Sequence, residues 1–245
     1  MNESDLREHG ILKNWRINLM ELMFDTGNLE LIEFYSKVFP IVGVTTNPSI
    51  LKKEGKVDVW EHFRQIQVII GKNNFLHVQV TTDTTDEIVK EAHKIVDELG
   101  YETYVKIPTT IDGVRAIKIL KKENFKITAT AIYTMAQGDF AIMAGADYIA
   151  PYVNRMENIN IDSKTVIKHY AQLIKEYNKE TKILAASFKN MGQVMSAYEC
   201  GAHCTTVDPT LLADALKMPS IEEATVNFKK DWEGVFGEGV SLLDL

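Results

Sequence analysis

The chain of 245 residues contains only two cysteines, six prolines and fourteen glycines. This composition argues against a disulfide-rich, disordered or fibrous protein. No stretch reaches 18 apolar residues, so we expect no membrane-spanning helix. The N-terminal residues mix charged and apolar side chains and lack the apolar run of a secretory signal peptide. Neither a Gly-x-Gly-x-x-Gly nor a Gly-x-x-x-x-Gly-Lys motif occurs. We therefore expect a cytoplasmic globular protein without a Gly-rich nucleotide-binding turn.

The cysteines and the net charge indicate which ligands the chain disfavours. Cys200 and Cys204 span an apparent switch from helix to strand, so their side chains need not converge on a metal ion. Two unpaired thiols in a reducing cytosol are the simpler interpretation, and the six scattered histidines also suggest no metal site. A net charge of −7 disfavours binding to nucleic acid. A small phosphate ester remains compatible, because one or two local cations suffice to bind it.

Short β-rich segments alternate with amphipathic segments along the whole chain, which is typical of a parallel α/β fold. The length lies close to the roughly 250 residues of a (β/α)₈ TIM barrel, and no linker divides the chain into domains. An open doubly wound sheet is the main rival, but the Gly-rich turn expected there is missing. We predict a single barrel domain with these strands: Asn18–Phe24, Ile41–Val44, Leu76–Thr81, Thr103–Ile107, Lys126–Thr130, Asp147–Ala150, Lys182–Ala186 and His203–Val207.

The segments between the strands predict helices. In residues 85–99, apolar side chains recur on one helical face and charged side chains lie on the other. The predicted helices are Thr85–Leu99, Ile111–Lys121, Ile161–Tyr177 and Met191–Tyr198. Phe228–Phe236 carries apolar and aromatic residues at helical spacing, which predicts a C-terminal helix extending from the barrel.

Lys106 is the most informative single residue, because it lies between Val105 and Ile107 in an apolar strand. If those neighbours pack against helices, strand alternation points the Lys106 amine into the barrel. A lysine with the ordinary pKa of ~10.4 is neutral in only about one molecule in 2,500 at pH 7. Burial that lowers the pKa by three units costs about 4 kcal/mol and gives a nucleophilic amine. A lone strand lysine is, however, more often a solvated strand end.

Further polar residues follow the predicted strands at their carboxyl ends, where barrel active sites lie. They are Asp25, Thr45, Thr46, Asn47, Gln79, Thr130, Tyr152, Arg155 and Ser187. Each also has an ordinary structural interpretation. Asp25 could cap the helix near Asn28, and Asn47 could begin a helix at Pro48. Tyr152 could be a packing residue and Ser187 a buried hydroxyl bonded to backbone, while Arg155 could pair with Glu157 or Asp162. Only their joint placement around Lys106 favours a site.

Six short sequence strings occur at successive predicted strand ends. They are Phe24-Asp-Thr26, Gly43-Val-Thr-Thr-Asn-Pro-Ser-Ile50, Tyr104-Val-Lys-Ile-Pro108, Thr130-Ala-Ile-Tyr133, Ala150-Pro-Tyr-Val-Asn-Arg155 and Ala185-Ala-Ser-Phe188. Each string is weak alone, but their shared order resembles the small transaldolase and fructose-6-phosphate aldolase family over about residues 20–236. The resemblance implies class I aldol chemistry, in which Lys106 forms a Schiff base with the C2 carbonyl of a ketose phosphate.

The resemblance also implies roles for the other strand-end residues. Asp25 and Asn47 match positions that hold the hydroxyls of the donor, and Thr46, next to Asn47, is also expected to bind substrate. Asp25 is in addition placed to move protons. Arg155 and Ser187 match the phosphate site, and guanidinium and hydroxyl donors suit a phosphate. No metal or organic cofactor is implied, because the imine itself is the electron sink.

Two residues bear on the subclass within this family. Residues matching Gln79, Thr130 and Tyr152 hold a water for proton transfer, and transaldolases typically have Glu and Phe where this chain has Gln79 and Tyr152. An amide cannot exchange a proton at neutral pH, so Gln79 can only orient the water. We therefore favour reversible cleavage of fructose 6-phosphate to dihydroxyacetone and glyceraldehyde 3-phosphate. Transaldolase activity and a catalytically idle sugar-phosphate-binding barrel are the alternatives.

Three features depart from the family pattern or extend it. His77 shares a strand face with Gln79, where relatives commonly have an aromatic or apolar residue, and a core imidazole with satisfied hydrogen bonds is the favoured interpretation. Residues 1–19 precede the point where relatives usually begin, so we separate an N-terminal extension, 1–19, from a barrel domain, 20–245. Relatives assemble as homo-oligomers, as decamers or pentamers, which implies an inter-subunit role for the C-terminal helix.

Overall fold

The computed structural model describes residues 20–245, and at its centre eight parallel strands form a closed barrel. Each strand pairs with the next along the chain, and the last pairs with the first. The strands are β1 Glu21–Asp25, β2 Gly43–Thr45, β3 Phe75–Gln79, β4 Tyr104–Pro108, β5 Ile127–Ile132, β6 Tyr148–Pro151, β7 Lys182–Ala185 and β8 Cys204–Val207. The predicted (β/α)₈ TIM barrel is confirmed, with eight strands near their predicted positions.

Eleven α-helices and one 3₁₀ helix lie within residues 20–245. They are α1 Leu29–Ser36, α2 Pro48–Leu51, the 3₁₀ helix Lys52–Glu54, α3 Val59–Ile70, α4 Thr85–Leu99, α5 Ile111–Lys122, α6 Met135–Ala144, α7 Val153–Glu157, α8 Ser163–Glu176, α9 Met191–Glu199, α10 Pro209–Leu216 and α11 Pro219–Phe236. Most begin where a polar side chain accepts a hydrogen bond from the first helical turn. These capping residues are Asn28, Asn47, Asp58, Thr110, Thr134, Asp162, Asn190 and Asp208.

The main apolar core lies between the barrel and the surrounding helices. Strand residues such as Val105 and Ile107 point outward and are completely buried under side chains of α4 and α5, including Ile88 and Ile117. The intervening strand residues point into the lumen, which is polar as well as apolar. His77, Lys106 and Thr128 are all buried there. Strand alternation therefore separates a core that stabilises the fold from a lumen that can carry chemistry.

Close packing between helices requires a glycine in α6. A Cβ atom added to Gly138 would lie 2.3 Å from the ring of Tyr170 on α8. The Tyr170 ring is fully buried, and its hydroxyl donates to the Thr134 carbonyl at 2.6 Å. The two helices therefore approach as closely as they do because position 138 lacks a side chain.

The C-terminal helix α11 lies on the outside of the molecule and contributes no buried side chain, as predicted for a helix that extends from the barrel. Phe228 and Val235 are 70% and 76% exposed. Trp232 is the partial exception, since its indole donates to the Val240 carbonyl at 2.8 Å and its ring stacks on Phe236 at 4.2 Å. The tail after α11 thus folds back onto the helix.

Residues 1–19, including the first residues of the predicted strand Asn18–Phe24, lie outside the described residues, so the domain boundary at residue 19 stays a prediction. Among residues 20–245, no helix has both the length and the apolar character needed to cross a bilayer.

Candidate active site at the carboxyl ends of the strands

The Lys106 amine lies inside the barrel, and only 4% of the residue is exposed. Its Nζ donates a hydrogen bond of 2.7 Å to the Thr46 carbonyl oxygen, which follows β2. Burial lowers the pKa of Lys106 below its ordinary value, and attraction to the Asp25 carboxylate partly offsets that shift. The alternative of a solvated strand end is wrong. The amine has the burial and the lowered pKa that a Schiff-base nucleophile needs.

Asp25 lies at the end of β1, and its carboxylate is held by a hydroxyl from the next strand. Thr45 Oγ1 donates to Asp25 Oδ1 at 2.7 Å and also lies 2.7 Å from Thr206 Oγ1 on β8. Burial raises the pKa of Asp25, while the Lys106 charge and the Thr45 hydrogen bond oppose the rise. The alternative that Asp25 caps a helix is wrong, because Asn28 accepts from Leu31 N and caps α1.

Thr46 and Asn47 turn the chain from β2 into α2. The Thr46 hydroxyl donates to the His77 carbonyl at 3.1 Å, so it is the backbone oxygen of Thr46 that contacts Lys106. Asn47 Oδ1 accepts from Ile50 N at 3.0 Å, which confirms the helix-start interpretation for that atom. Each of the two side chains thus makes one hydrogen bond within the protein, and their substrate-binding roles stay predictions.

Thr130, Tyr152 and Gln79 lie on three strands or strand ends around the lumen. The Thr130 and Tyr152 hydroxyls lie 3.0 Å apart, and burial raises the pKa of Tyr152 although that hydrogen bond opposes the rise. Gln79 is the register partner of Lys106, and its Oε1 is buried without a hydrogen-bond partner among residues 20–245. A protonated phenol, a hydroxyl and a carboxamide can together hold a water.

A β-bulge places Thr130. The register of β5 against β6 shifts between Ala129 and Ile132, and Ala131 has the left-handed φ of 55°. Bulges beside active sites commonly re-aim a side chain. Gln137 holds the strand end, since its Oε1 accepts from Tyr133 N at 3.0 Å and its Nε2 donates to the Ala131 carbonyl at 3.3 Å.

Arg155 stands at the exposed rim of the same group of residues. Its guanidinium lies over the Tyr152 ring at 4.8 Å, and its Nη1 donates to the Tyr133 hydroxyl at 3.4 Å. Pairing with Glu157 or Asp162, the surface alternative, is wrong: Glu157 accepts from Ser163, and Asp162 caps α8. The sequence predicts no role for Tyr133, because its contact with Arg155 depends on the three-dimensional path of the chain after β5.

Ser187 follows β7 with a left-handed φ of 62°, a conformation that costs a non-glycine residue free energy and often marks a functional site. Its carbonyl accepts from Asn154 N at 2.9 Å, which joins it to the start of α7, the helix that carries Arg155. Within the described residues its hydroxyl makes no hydrogen bond, so the alternative of a hydroxyl bonded to backbone is wrong. The half-buried Ser187 hydroxyl has its donor available for a ligand.

The two cysteines behave as the sequence predicts. Cys200 caps the C-terminus of α9 and Cys204 begins β8, and both cysteines are buried and form no disulfide. Across residues 20–245, no group of three or more His, Cys, Asp and Glu side chains is arranged to hold a metal ion.

A closed parallel barrel whose strand ends carry a buried amine, a half-buried carboxylate and a phenol–hydroxyl pair is typical of the (β/α)₈-barrel class of enzymes. Residues 22–241 match the family model described as Transaldolase/Fructose-6-phosphate aldolase. The chain belongs to this family, and the resemblance predicted from the six strings is confirmed.

Two known proteins illustrate the relationship. The chain is 49% identical over 213 residues to a protein of Streptococcus pneumoniae named "Probable fructose-6-phosphate aldolase", with 87% of this chain and 96% of that protein covered. A crystal structure of inosine 5'-monophosphate dehydrogenase from Legionella pneumophila is similar with a TM-score of 0.54 at 15% identity. That match covers 78% of this chain but only 58% of the dehydrogenase, and it supports the barrel fold alone.

Proposed function

We propose that the protein is a class I aldolase that reversibly cleaves fructose 6-phosphate to dihydroxyacetone and glyceraldehyde 3-phosphate. The observation that carries the proposal is the Lys106 amine, buried in the lumen with a lowered pKa and facing the carboxylate of the half-buried Asp25. A neutral amine in that position can attack a carbonyl, whereas a solvated lysine would be protonated. Family membership supports the same chemistry.

In the proposed mechanism, Lys106 Nζ attacks the C2 carbonyl, and loss of water gives a protonated imine. The C4 hydroxyl then loses its proton while the C3–C4 bond breaks, and the bonding electrons pass to the imine nitrogen. Glyceraldehyde 3-phosphate leaves, and an enamine of dihydroxyacetone stays on Lys106. Protonation at C3 and hydrolysis of the imine release dihydroxyacetone. A water held by Gln79, Thr130 and Tyr152 carries the protons, and Asp25 assists.

The proposed phosphate site is the exposed rim that carries Arg155. Arg155 supplies a charged donor there, and the Ser187 hydroxyl supplies a second. Thr46 and Asn47, together with Asp25, would hold the hydroxyls of the donor end. Tyr133 joins this set through its contact with Arg155.

Gln79 and Tyr152 favour an aldolase over a transaldolase. The carboxamide cannot transfer a proton, so it leaves the water and the Tyr152 phenol to protonate the enamine and release free dihydroxyacetone. The raised pKa keeps the phenol in its donor form. A catalytically idle barrel is disfavoured, because it would have no need to bury an amine with a lowered pKa.

Borohydride reduction tests the proposal, because an imine between Lys106 and the donor is reducible. We expect borohydride with fructose 6-phosphate or dihydroxyacetone to inactivate the enzyme and to add donor-derived mass to the peptide with Lys106. Lys106→Met is the matched control, since it keeps an unbranched side chain without the amine. Label on any other lysine would overturn the assignment.

An acceptor assay separates the two activities. Fructose 6-phosphate cleavage would be followed with and without erythrose 4-phosphate. We expect free dihydroxyacetone in both, whereas turnover that requires the acceptor would identify a transaldolase. Activity that survives about 10 mM chelator would agree with a mechanism in which the imine replaces a metal ion.

We further propose that the protein is a cytoplasmic homo-oligomer assembled through α11. The buried unpaired thiols suit a reducing compartment. The exposed apolar side chains of α11, such as Phe228 and Val235, are typical of a surface that a partner covers.

A further inference from the structure

His77 is a fully buried titratable group beside the site that the mechanism above leaves unused. It lies on the lumen face of β3, and its ring stacks on Tyr104 at a centroid distance of 4.4 Å. Its Nδ1 is 2.9 Å from the Thr128 hydroxyl. The interpretation as a core imidazole with satisfied hydrogen bonds is therefore correct for one nitrogen only. The other nitrogen, Nε2, is shielded from solvent and has no partner within residues 20–245.

The second buried side-chain atom without a partner in the described part of the chain is Oε1 of Gln79. His77 and Gln79 are two residues apart on one strand, so their side chains lie on the same face. Orphaned buried polar atoms are rare in native proteins, and two neighbours on one face call for a common explanation. Their hydrogen-bonding capacities are complementary, because a carboxamide oxygen only accepts and an imidazole nitrogen can donate.

We propose that His77 is a positioning residue whose Nε2–H is joined through one bound water to Gln79 Oε1 and so fixes the Gln79 carboxamide beside Lys106. This inference rests on the proposed aldolase function. In the proposed tautomer Nε2 carries the proton, so Nδ1 accepts from the Thr128 hydroxyl 2.9 Å away. The Lys106 amine cannot serve as a lasting donor, since it donates to Thr46 and becomes an imine during turnover.

The arrangement has a direct consequence for proton transfer. A side-chain carboxamide has an accepting end and a donating end, and a free one can rotate between the two orientations. A water held by His77 fixes the oxygen, so the amide nitrogen keeps a constant place relative to Thr130 and Tyr152. Burial holds the pKa of His77 well below its ordinary value, so the ring is neutral and adds no charge against the cationic imine. His77 should therefore affect kcat and leave phosphate binding unchanged.

Two amide substitutions separate the nitrogens of the ring. His77→Gln places an amide group near the position of Nε2, whereas the shorter side chain in His77→Asn reaches only the position of Nδ1 beside Thr128. We expect kcat of His77→Asn to be about three- to tenfold below that of His77→Gln, the range for one hydrogen bond. Equal KM for fructose 6-phosphate and equal urea midpoints are expected. Equal kcat values, or a faster His77→Asn, would show a structural role and overturn the proposal.

The same pair made in a Gln79→Ala background tests the route of the effect. If His77 acts through Gln79, the difference between Asn and Gln at position 77 disappears when the carboxamide is gone. A difference of unchanged size would contradict the proposal. Imidazole ¹⁵N chemical shifts of the unmodified protein provide a test that needs no variant to fold. We expect a protonated Nε2 for His77, and a protonated Nδ1 would contradict the proposal.

The borohydride adduct keeps the two proposals apart. If the unmodified protein forms no adduct on Lys106, the aldolase function fails. If the adduct forms but the His77 variants or the tautomer differ from expectation, only the role of His77 fails.

Discussion

Lys106 and Asp25 share one buried space, and burial moves their pKa values in opposite directions while their attraction restores them in part. Burial lowers the pKa of the amine and raises that of the acid, so both changes favour neutral forms. The Thr45 hydroxyl adds a hydrogen bond that favours the carboxylate. Burial therefore favours an amine that can attack and an acid that can donate a proton.

Asp25→Asn should make the amine more nucleophilic at low pH. The Asp25 charge raises the pKa of Lys106, so its removal lowers that pKa further. Borohydride labelling with dihydroxyacetone rises with pH as Lys106 loses its proton, and we expect this rise to move to lower pH in the variant. Glu30→Gln, which removes one exposed negative charge, is the control and should leave the profile in place. An unchanged or upward-shifted profile for Asp25→Asn would contradict the coupling.

Arg155→Ala should raise KM for glyceraldehyde 3-phosphate in the synthetic direction by tenfold or more. A charge-assisted hydrogen bond contributes about 1.5–3 kcal/mol, which is lost only where the substrate carries a phosphate. Unphosphorylated glyceraldehyde is the control substrate, and its KM should change little. An equal rise for both aldehydes would mean that Arg155 acts through Tyr152 packing.

At the scale of single residues, the sequence predicts Lys106 because its apolar neighbours and strand periodicity determine where the amine points. The helix cap formed by Asn47 is also predictable from the sequence, since Pro48 follows it. The contact between Tyr133 and Arg155 was not predictable. It depends on the left-handed turn at Ala131 and on the angle at which α7 leaves β6, and neither leaves a periodic signal.

At the scale of elements, the site is built from the places where strands stop and short helices start. The N-cap residues of α2 and α7 lie two residues after β2 and one residue after β6, and each connection carries residues of the proposed site. The carbonyl of Ser187 ties the end of β7 to the start of α7. The site residues are therefore fixed by backbone hydrogen bonds at strand ends rather than by long loops.

Gly138→Ala should destabilise the protein by about 1–3 kcal/mol, the usual cost of overpacking a close contact. The added methyl group would overlap the Tyr170 ring, which is fully buried and held by its own hydrogen bond. Gly234→Ala on α11 is the matched control, because no atom lies within 4 Å of its new Cβ. The control should be neutral or more stable by up to ~1 kcal/mol, since Ala favours helix.

Urea unfolding would measure the free energy of unfolding of both variants, and an unchanged m-value would show that only the stability has changed. A Gly138→Ala protein as stable as the parent would mean that α6 and α8 can move apart without cost.

The sequence predicts long elements better than short ones. Helix α4 has the predicted bounds, because fifteen residues with a regular apolar face give a strong period. The predicted helix Ile161–Tyr177 begins instead at Ser163, because Asp162 caps it. Helices α2 and α7 are too short to show a period, and α6 is apolar on too many sides to show one. Strand β2 is Gly43–Thr45 rather than the predicted Ile41–Val44, because pairing with both neighbouring strands determines where a strand begins and ends.

At the scale of the whole molecule, a closed barrel leaves α11 as the principal unburied element. The helix contributes no buried side chain, yet it presents several large apolar groups. The other described residues leave these apolar groups exposed, and we expect another copy of the chain to cover them, as the family resemblance implies.

Val235→Asp should weaken assembly, because it places a charge on a surface that we propose is covered by a neighbouring copy. We expect a lower mass in solution by light scattering or native mass spectrometry. Val68→Asp on α3 is the control, since Val68 is 81% exposed and Val235 is 76% exposed. A monomeric parent protein, or the same loss of mass in both variants, would contradict an interface on α11.

The hydroxyl of Thr45 connects closure of the barrel to the proposed active site. Asp25, Thr45 and Thr206 are linked by hydrogen bonds between their side-chain oxygens. They lie on β1, β2 and β8, and the barrel closes where β8 pairs with β1. Thr45 has one hydroxyl hydrogen, so when it donates to the Asp25 carboxylate it must receive from Thr206. Thr206, on the last strand to be synthesised, thus completes the hydrogen bonding of Thr45, and Thr45 in turn holds the Asp25 carboxylate on β1. We therefore expect the Asp25 carboxylate to reach its final hydrogen bonding only after β8 has paired with β1.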